Sequence, residues 1–166
     1  MKEQQLKILK VMNEATSRMD INMFAQAVNL TPEQAIEQVH ILANEAFLRK
    51  VGAGYGLTEK GKNALKISAQ VPEEKAFCFY VAFDKPLGFS SRSIEEFYRT
   101  IKQVTSDSID FHLYRGDFER WIEEVLQDNE LADVVGELEG YGLTGEELRK
   151  ALLKAIDARY GVGDLL

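Results

Sequence analysis

The sequence predicts a mainly α protein with minor β, arranged as two domains. Three observations predict it. Most apolar residues recur at helical spacing, in runs opened by capping residues such as Asp20, Thr31, Ser93 and Thr144. β signals are confined to a short pair around Gly52–Gly54 and one aromatic run, Ala76 to Phe83. The charge also changes sign along the chain. Residues 1–70 hold 9 basic and 7 acidic side chains, a balance of +2, whereas residues 71–166 hold 11 and 20, a balance of −9. The break falls in a polar segment around Pro72, so the expected organisation is a domain over 1–70, a linker over 71–75 and a mostly helical domain with one apolar strand over 76–166.

Composition excludes several classes. The chain has 166 residues, 45% hydrophobic, enough to bury real cores. A net charge of −7 argues against a globally basic nucleic-acid binder. One cysteine forbids an internal disulfide, and two histidines leave little for zinc, so no metal and no cofactor are expected. The start MKEQQLKILK lacks the apolar core of a signal peptide. The longest apolar run, Ala76 to Phe83, falls far short of the roughly 18 residues of a membrane span. A cytoplasmic protein without membrane contact is the expectation.

In the first domain, Leu6, Leu9, Met12 and Ala15, widened by Ile8 and Val11, predict a helix from Glu3 to Ala15. Asp20 caps a short second helix carrying Met23, Phe24, Ala27 and Val28. Asn29 sits where a tight turn needs a left-handed residue. Thr31, Pro32 and Gln34 form a capping box that opens a third helix over 31–47, with Ile36, Val39, Ala43, Ala46 and Phe47 as its buried stripe. Leu48 to Val51 and Tyr55 to Leu57 are short strands around the glycine turn, and Thr58 caps a fourth helix, Glu59 to Ile67.

The segment Phe24 to Glu33 resembles the helix-turn-helix of winged-helix proteins, and Tyr55 to Leu65 is similar to the wing exit and following helix of prokaryotic winged-helix regulators. The resemblance covers about residues 3–68. It implies a DNA-binding transcription regulator with a C-terminal sensing or dimerising domain, whose helix 31–47 enters the major groove of double-stranded DNA while the hairpin meets the backbone. Gln34, Gln38 and Asn44 are then the base readers, and Arg49, Lys50, Lys60 and Lys62 the phosphate contacts. Against this, Glu33 and Glu37 lie one turn apart at the leading end of that helix and would face phosphates. The alternative is a winged-helix protein-interaction module that does not bind DNA. His40, on the same helix, reads as a packing or surface residue.

In the second domain, Ala76 to Phe83 reads as a strand apolar on both faces, followed by turn chemistry at Asp84 to Gly88. Ser93 to Glu96 is a capping box for a helix carrying Ile94, Phe97, Tyr98, Ile101 and Val104. A helix over Asp107–Tyr114 ends at Gly116, and Asp117 caps the next, which carries Phe118, Trp121 and Ile122. Glu130 to Leu138 is helical. Thr144 caps a long last helix with the stripe Leu148, Leu152, Ala155 and Ile156.

The densest polar–aromatic segment is Ser108 to Ile122. It resembles an uncharacterised, mainly archaeal family with the hallmark Phe-His-x-x-Arg-Gly-Asp-Phe-x-x-Trp-Ile, here Phe111 to Ile122, over roughly residues 76–160. That family brings no activity with it. His112, Arg115, Asp117 and Trp121 admit two readings. One is a pocket for a small anionic ligand or a protein partner, with Arg115 as fork, His112 as donor and Trp121 as wall. The other is a helix corner locked by an Arg–Asp pair and a histidine bonded to backbone. No catalytic motif is present, so no enzyme is expected, and Cys78 reads as an inert buried thiol. A lone strand with two apolar faces needs a partner: the hairpin strands near Val51 and Leu57, an unseen strand around Leu87–Ser91, or its own copy across a two-fold axis, and a homodimer is the expectation.

Overall fold

The computed structural model describes residues 1–15 and 20–166 and is mainly α with two small antiparallel sheets. It divides into two compact units, one of Met1–Lys66 with Asp164–Leu166 and one of Ile67–Gly163.

The first unit runs α1 (Glu3–Glu14), α2 (Ile21–Ala27), α3 (Pro32–Asn44), β1 (Leu48–Val51), β2 (Gly54–Leu57) and α4 (Glu59–Ser68). Its punctuation follows the side chains. Asp20 Oδ1 accepts from Met23 N at 2.9 Å, Asn29 stands at φ 58°, and Thr31 and Gln34 exchange both bonds of a capping box. Thr58 Oγ1 accepts from Gly61 N and donates to the carbonyls of Ala46 and Phe47, tying the start of α4 to the end of α3. Strands β1 and β2 pair from Leu48 with Leu57 to Val51 with Gly54.

The expected stripes hold in part: Ile8, Leu9, Phe24, Val28, Val39 and Phe47 are buried, and other members are not. In α1 the buried residues are Gln5, Ile8 and Leu9, while Ala15 is exposed; in α2 they are Phe24 and Ala25, with Val28 at the C-cap, while Met23 and Ala27 are exposed. In α3 they are Ala35, Val39 and Leu42; Ile36 is 43% exposed, and Ala46 is exposed at φ 65° as a left-handed helix stop. The cause is tertiary. α3 packs on α1, α2 and β1, so its neighbours set the face it buries, and small Ala35 suits the close approach better than Ile36.

The second unit begins with a 3-10 turn at Glu73–Lys75 and a hairpin, β3 (Phe77–Ala82) and β4 (Lys85–Ser91). Five helices follow: α5 (Ile94–Gln103), α6 (Ser106–Tyr114), α7 (Asp117–Glu124), α8 (Asn129–Glu137) and α9 (Gly145–Tyr160), before the short α10 (Val162–Leu165). The expected linker over 71–75 is not free chain. Val71 N donates to Arg92 O, Arg92 Nε donates to Val71 O, and Lys75 O accepts from Trp121 Nε1 at 2.8 Å.

The single apolar strand is corrected to a hairpin. β3 pairs inside its own chain, Phe77 with Ser91 and Ala82 with Lys85, and the register shifts on both sides of Tyr80. Pro86 and Gly88 made this segment read as turn, yet an edge strand tolerates proline and a bulge tolerates Gly88 at φ 78°. The ground given for a dimer, an unpaired strand, is thereby removed. The two-faced apolar reading is corrected too. Phe77 and Phe79 are buried, but Cys78 on the opposite face is exposed rather than buried, and Phe83 at the hairpin tip is 73% exposed.

Helix ends in this unit use partners remote in sequence. Asp110 Oδ1, not Thr144, accepts from Gly145 N at the start of α9, and Arg149 Nη1 donates to the carbonyls of Ile101 and Val104 at the end of α5. Asp128 caps α8 by accepting from Leu131 N, and it also takes Arg159 Nε and the Tyr160 hydroxyl.

Candidate functional site

Two regions concentrate the residues singled out by sequence, one in each unit. In the first unit the expected DNA face is the exposed side of α3 with the β1–β2 hairpin. α3 contains no lysine or arginine. Its exposed positions include Glu33, Ile36, Glu37, His40 and Asn44. Gln34 is spent in part on the capping box, its Oε1 accepting from Thr31 N at 3.1 Å, and Gln38 is half-buried. At about 100° per residue, Asn44 lies roughly a third of a turn away from the line through Gln34 and Gln38, so the three do not share one face.

The four cations are placed unequally. Lys60 Nζ donates to Glu45 O at 2.9 Å and lies 4.4 Å over the Phe47 ring, which caps the C-terminus of α3 where a cation is favourable. Lys62 Nζ pairs with Glu59 at 3.1 Å. Arg49 and Lys50 are exposed on β1, on alternate faces of the strand. His40 is exposed, its ring 6.5 Å from that of Tyr55.

In the second unit, His112, Arg115, Asp117 and Trp121 come together where α6 meets α7. Gly116 at φ 74° makes the corner and is itself the N-cap of α7. Asp117 is therefore the first residue of α7, not its cap, and its carboxylate bonds side chains only. Oδ2 accepts from His112 Nδ1 at 2.9 Å and from Arg115 Nε at 3.1 Å, and Oδ1 accepts from Arg120 Nη2 at 2.6 Å. His112 is 3% exposed. Its Nε2 accepts the amide of Tyr80 at 2.8 Å, and one helical turn earlier Ser108 Oγ donates to Tyr80 O at 2.7 Å. These two side chains satisfy the N–H and C=O of Tyr80, whose partner across the hairpin is Pro86.

This geometry fixes the tautomer. Nε2 faces an N–H donor and must be an acceptor, so the proton sits on Nδ1 and points at Asp117. Burial pushes the His112 pKa below its ordinary 6.5; the bond and charge of Asp117 pull upward but lose, and the charge of Arg115 adds to the lowering. For Asp117 burial alone raises the pKa, yet the hydrogen bonds from His112 and Arg115 outweigh it and hold the carboxyl below the usual range. The result is a neutral histidine beside an ionised carboxylate. Phe77 and Phe79 set their ring edges against the imidazole, at 4.9 and 5.9 Å between centroids. The Arg115 guanidinium lies over Phe83 at 4.3 Å and Phe111 at 4.9 Å. Trp121 is buried, its indole N–H held by Lys75 O.

Sequence reasoning missed Ser108, Arg120, Phe83 and Phe111 at this corner. Ser108 and His112 stand at i and i+4, a pairing that marks two polar side chains aimed at one backbone unit. Among the described residues, no buried side-chain nitrogen or oxygen lacks a hydrogen-bond partner, and no group of three His, Cys, Asp or Glu could hold a metal ion.

The chain is thus a mainly helical two-unit protein, its second unit a β-hairpin bonded to helix α6 through His112 and Ser108. It belongs to a family of unknown function (DUF5752), which matches residues 73–164. That span contains the hairpin, the polar corner and the helices α5 to α9, and the family description names no catalytic activity. No curated protein and no solved structure matches the chain. No helix among the described residues is long and apolar enough to cross a membrane.

Proposed function

We propose that the first unit is a winged-helix fold used to dock protein rather than to bind DNA, and that the chain is a non-enzymatic adaptor. The order of three helices, a hairpin and a fourth helix supports the winged-helix assignment. The observation that carries the docking reading is the exposed face of α3, where Glu33 and Glu37 stand beside a 43% exposed Ile36 and the helix has no cation. A carboxylate held about 5 Å from a phosphate costs about 0.8 kcal/mol even in bulk-water dielectric, and two of them would meet the backbone first. Of the four cations meant to offset that, Lys60 and Lys62 are engaged within the chain. Affinity for DNA comes mainly from phosphate contacts, and Arg49 and Lys50 alone supply few.

The polar corner of the second unit is a strut in this reading, not an anion pocket. Both nitrogens of His112 are used internally, and the Arg115 guanidinium lies against the Phe83 and Phe111 rings with its Nε on Asp117. An exposed, unpaired Cys78 suits a reducing, cytoplasmic compartment. The test is a gel shift with random-sequence duplex DNA at low salt and micromolar protein. No retention is expected. A shift that weakens steeply with salt and disappears in Arg49→Ala/Lys50→Ala would overturn the reading.

A further inference from the structure

The two bonds of the His112 ring respond to a proton in opposite ways. On one side Nδ1 donates to Asp117 Oδ2 at 2.9 Å, and on the other Nε2 accepts the Tyr80 amide at 2.8 Å. An imidazolium donates from both nitrogens. The bond to Asp117 then becomes charge-assisted and strengthens. The contact with Tyr80 sets one N–H against another and is no longer a bond. Tyr80 has little else to hold it at this point. Its partner across the hairpin is Pro86, which has no N–H, and the register shifts on both sides of Tyr80. What remains is the Ser108 hydroxyl on Tyr80 O, which the proton leaves untouched. A cavity of about 530 Å³ borders both Tyr80 and His112, so water can take over the freed amide.

We propose that His112 is an acid-sensitive catch. Protonation at Nε2 releases the Tyr80 segment of β3 from α6, while Asp117 keeps the imidazolium seated where α6 meets α7. Phe77 and Phe79 are buried and anchor the first half of β3, so release is confined to the stretch from Tyr80 to the exposed tip at Phe83. The charged groups around the ring set when the catch opens. Asp117 bonds it directly, Arg115 and Arg120 bond Asp117, and Cys78, Tyr80, Asp84 and Glu124 share its cavity. Burial is the largest influence and disfavours the proton; the bond and charge of Asp117 favour it, and the charge of Arg115 opposes it. The ring is therefore neutral, and the catch closed, at neutral pH. Asp117, held below its ordinary 3.8, is still ionised where the ring takes its proton. The catch depends on nothing in the first unit.

Amide hydrogen exchange on the nitrogen-labelled full chain tests this, read beside the side-chain nitrogen shifts of the imidazole. His40→Gln leaves His112 as the one histidine. Between about pH 7.5 and about pH 4.5 the protection of the Tyr80 amide, corrected for the intrinsic pH dependence of exchange, is expected to fall by at least about tenfold in step with protonation of the ring. The amides of Ile109, Phe118 and Ile122, in the helices behind it, are expected to keep theirs. In His112→Gln, whose side-chain oxygen can accept the amide but takes no proton, Tyr80 is expected to stay protected throughout. Three results would overturn the proposal. A ring that titrates while Tyr80 keeps its protection shows no catch. Loss at Tyr80 and at the helix amides together shows global unfolding instead of release. The same acid loss in His112→Gln shows that another group is the trigger. The first two need only the histidine-bearing chain, so they decide the matter even where His112→Gln does not fold.

Discussion

Removing the Asp117 carboxylate should cost more than a surface ion pair, and the geometry says how much. Asp117→Ala takes the acceptor from His112 Nδ1, Arg115 Nε and Arg120 Nη2 at once. The two arginine side chains, 39% and 58% exposed, return to water, so their share is within about 0.5 kcal/mol each. His112, 3% exposed, has no such escape. Its Nδ1 proton is left buried and unpaired, at about 1–3 kcal/mol. A total near 2 kcal/mol corresponds to roughly 8–16 °C in the melting of a unit of about 100 residues. Trp121 is the chain's one tryptophan and lies in this unit, so its fluorescence follows the melt directly. Asp117→Asn keeps an oxygen acceptor and should recover part of the loss; Arg120→Ala should stay within about 0.5 kcal/mol of wild type. If Asp117→Ala melts within about 2 °C of wild type, the corner is not a strut and the reasoning fails.

The lowered pKa of His112 has a sign that can be checked. The native state binds its proton less readily than the unfolded chain, so the stabilisation is complete above about 6.5 and declines as pH falls toward the depressed native value. A lower urea midpoint at pH 5 than at pH 7.5, with the difference reduced in His112→Phe, is expected; equal midpoints would contradict it. Asp117 and Asp128, both lowered from 3.8, lose their contributions at more acid pH still, as it falls through their native values. Ala46→Gly should stabilise the first unit by up to about 1 kcal/mol, because a left-handed position suits glycine; circular dichroism melts read it. Gly61→Ala should destabilise the same unit by about 1–3 kcal/mol, since a Cβ there would lie 2.4 Å from Phe47 O, and an unchanged melt would show that α4 can shift aside.

Local chemistry was legible wherever one residue sufficed to state it. Asn29 at its left-handed turn, the Thr31–Gln34 box and Gly116 at the corner each act within a few residues. Phase was less legible. Ile36 and Ala35 are adjacent, and which of them is buried is decided by α1, α2 and β1, not by periodicity. The strand β4 was hidden because Pro86 and Gly88 signal a turn in isolation and only a partner strand makes them an edge. Asp117 illustrates the same limit at the candidate site. Its position just after Gly116 reads as a cap, but the carboxylate turns to His112, Arg115 and Arg120, which sequence spacing alone cannot rank against a backbone amide. A histidine bonded to backbone was one of the two readings of the corner, but its partner, the Tyr80 amide, lies 32 residues away and is not named by any local signal.

The central claim is that carboxylates on α3 turn a winged-helix unit away from DNA and toward protein. The most direct measurement is the affinity of labelled duplex DNA for wild type and for Glu33→Lys/Glu37→Lys, compared by anisotropy across a salt series. Wild type is expected to show no saturable binding at low salt, and the double variant to gain salt-sensitive binding as two repulsions become two phosphate contacts. Wild-type binding as tight as that of the variant, with a steep salt dependence of its own, would contradict the account.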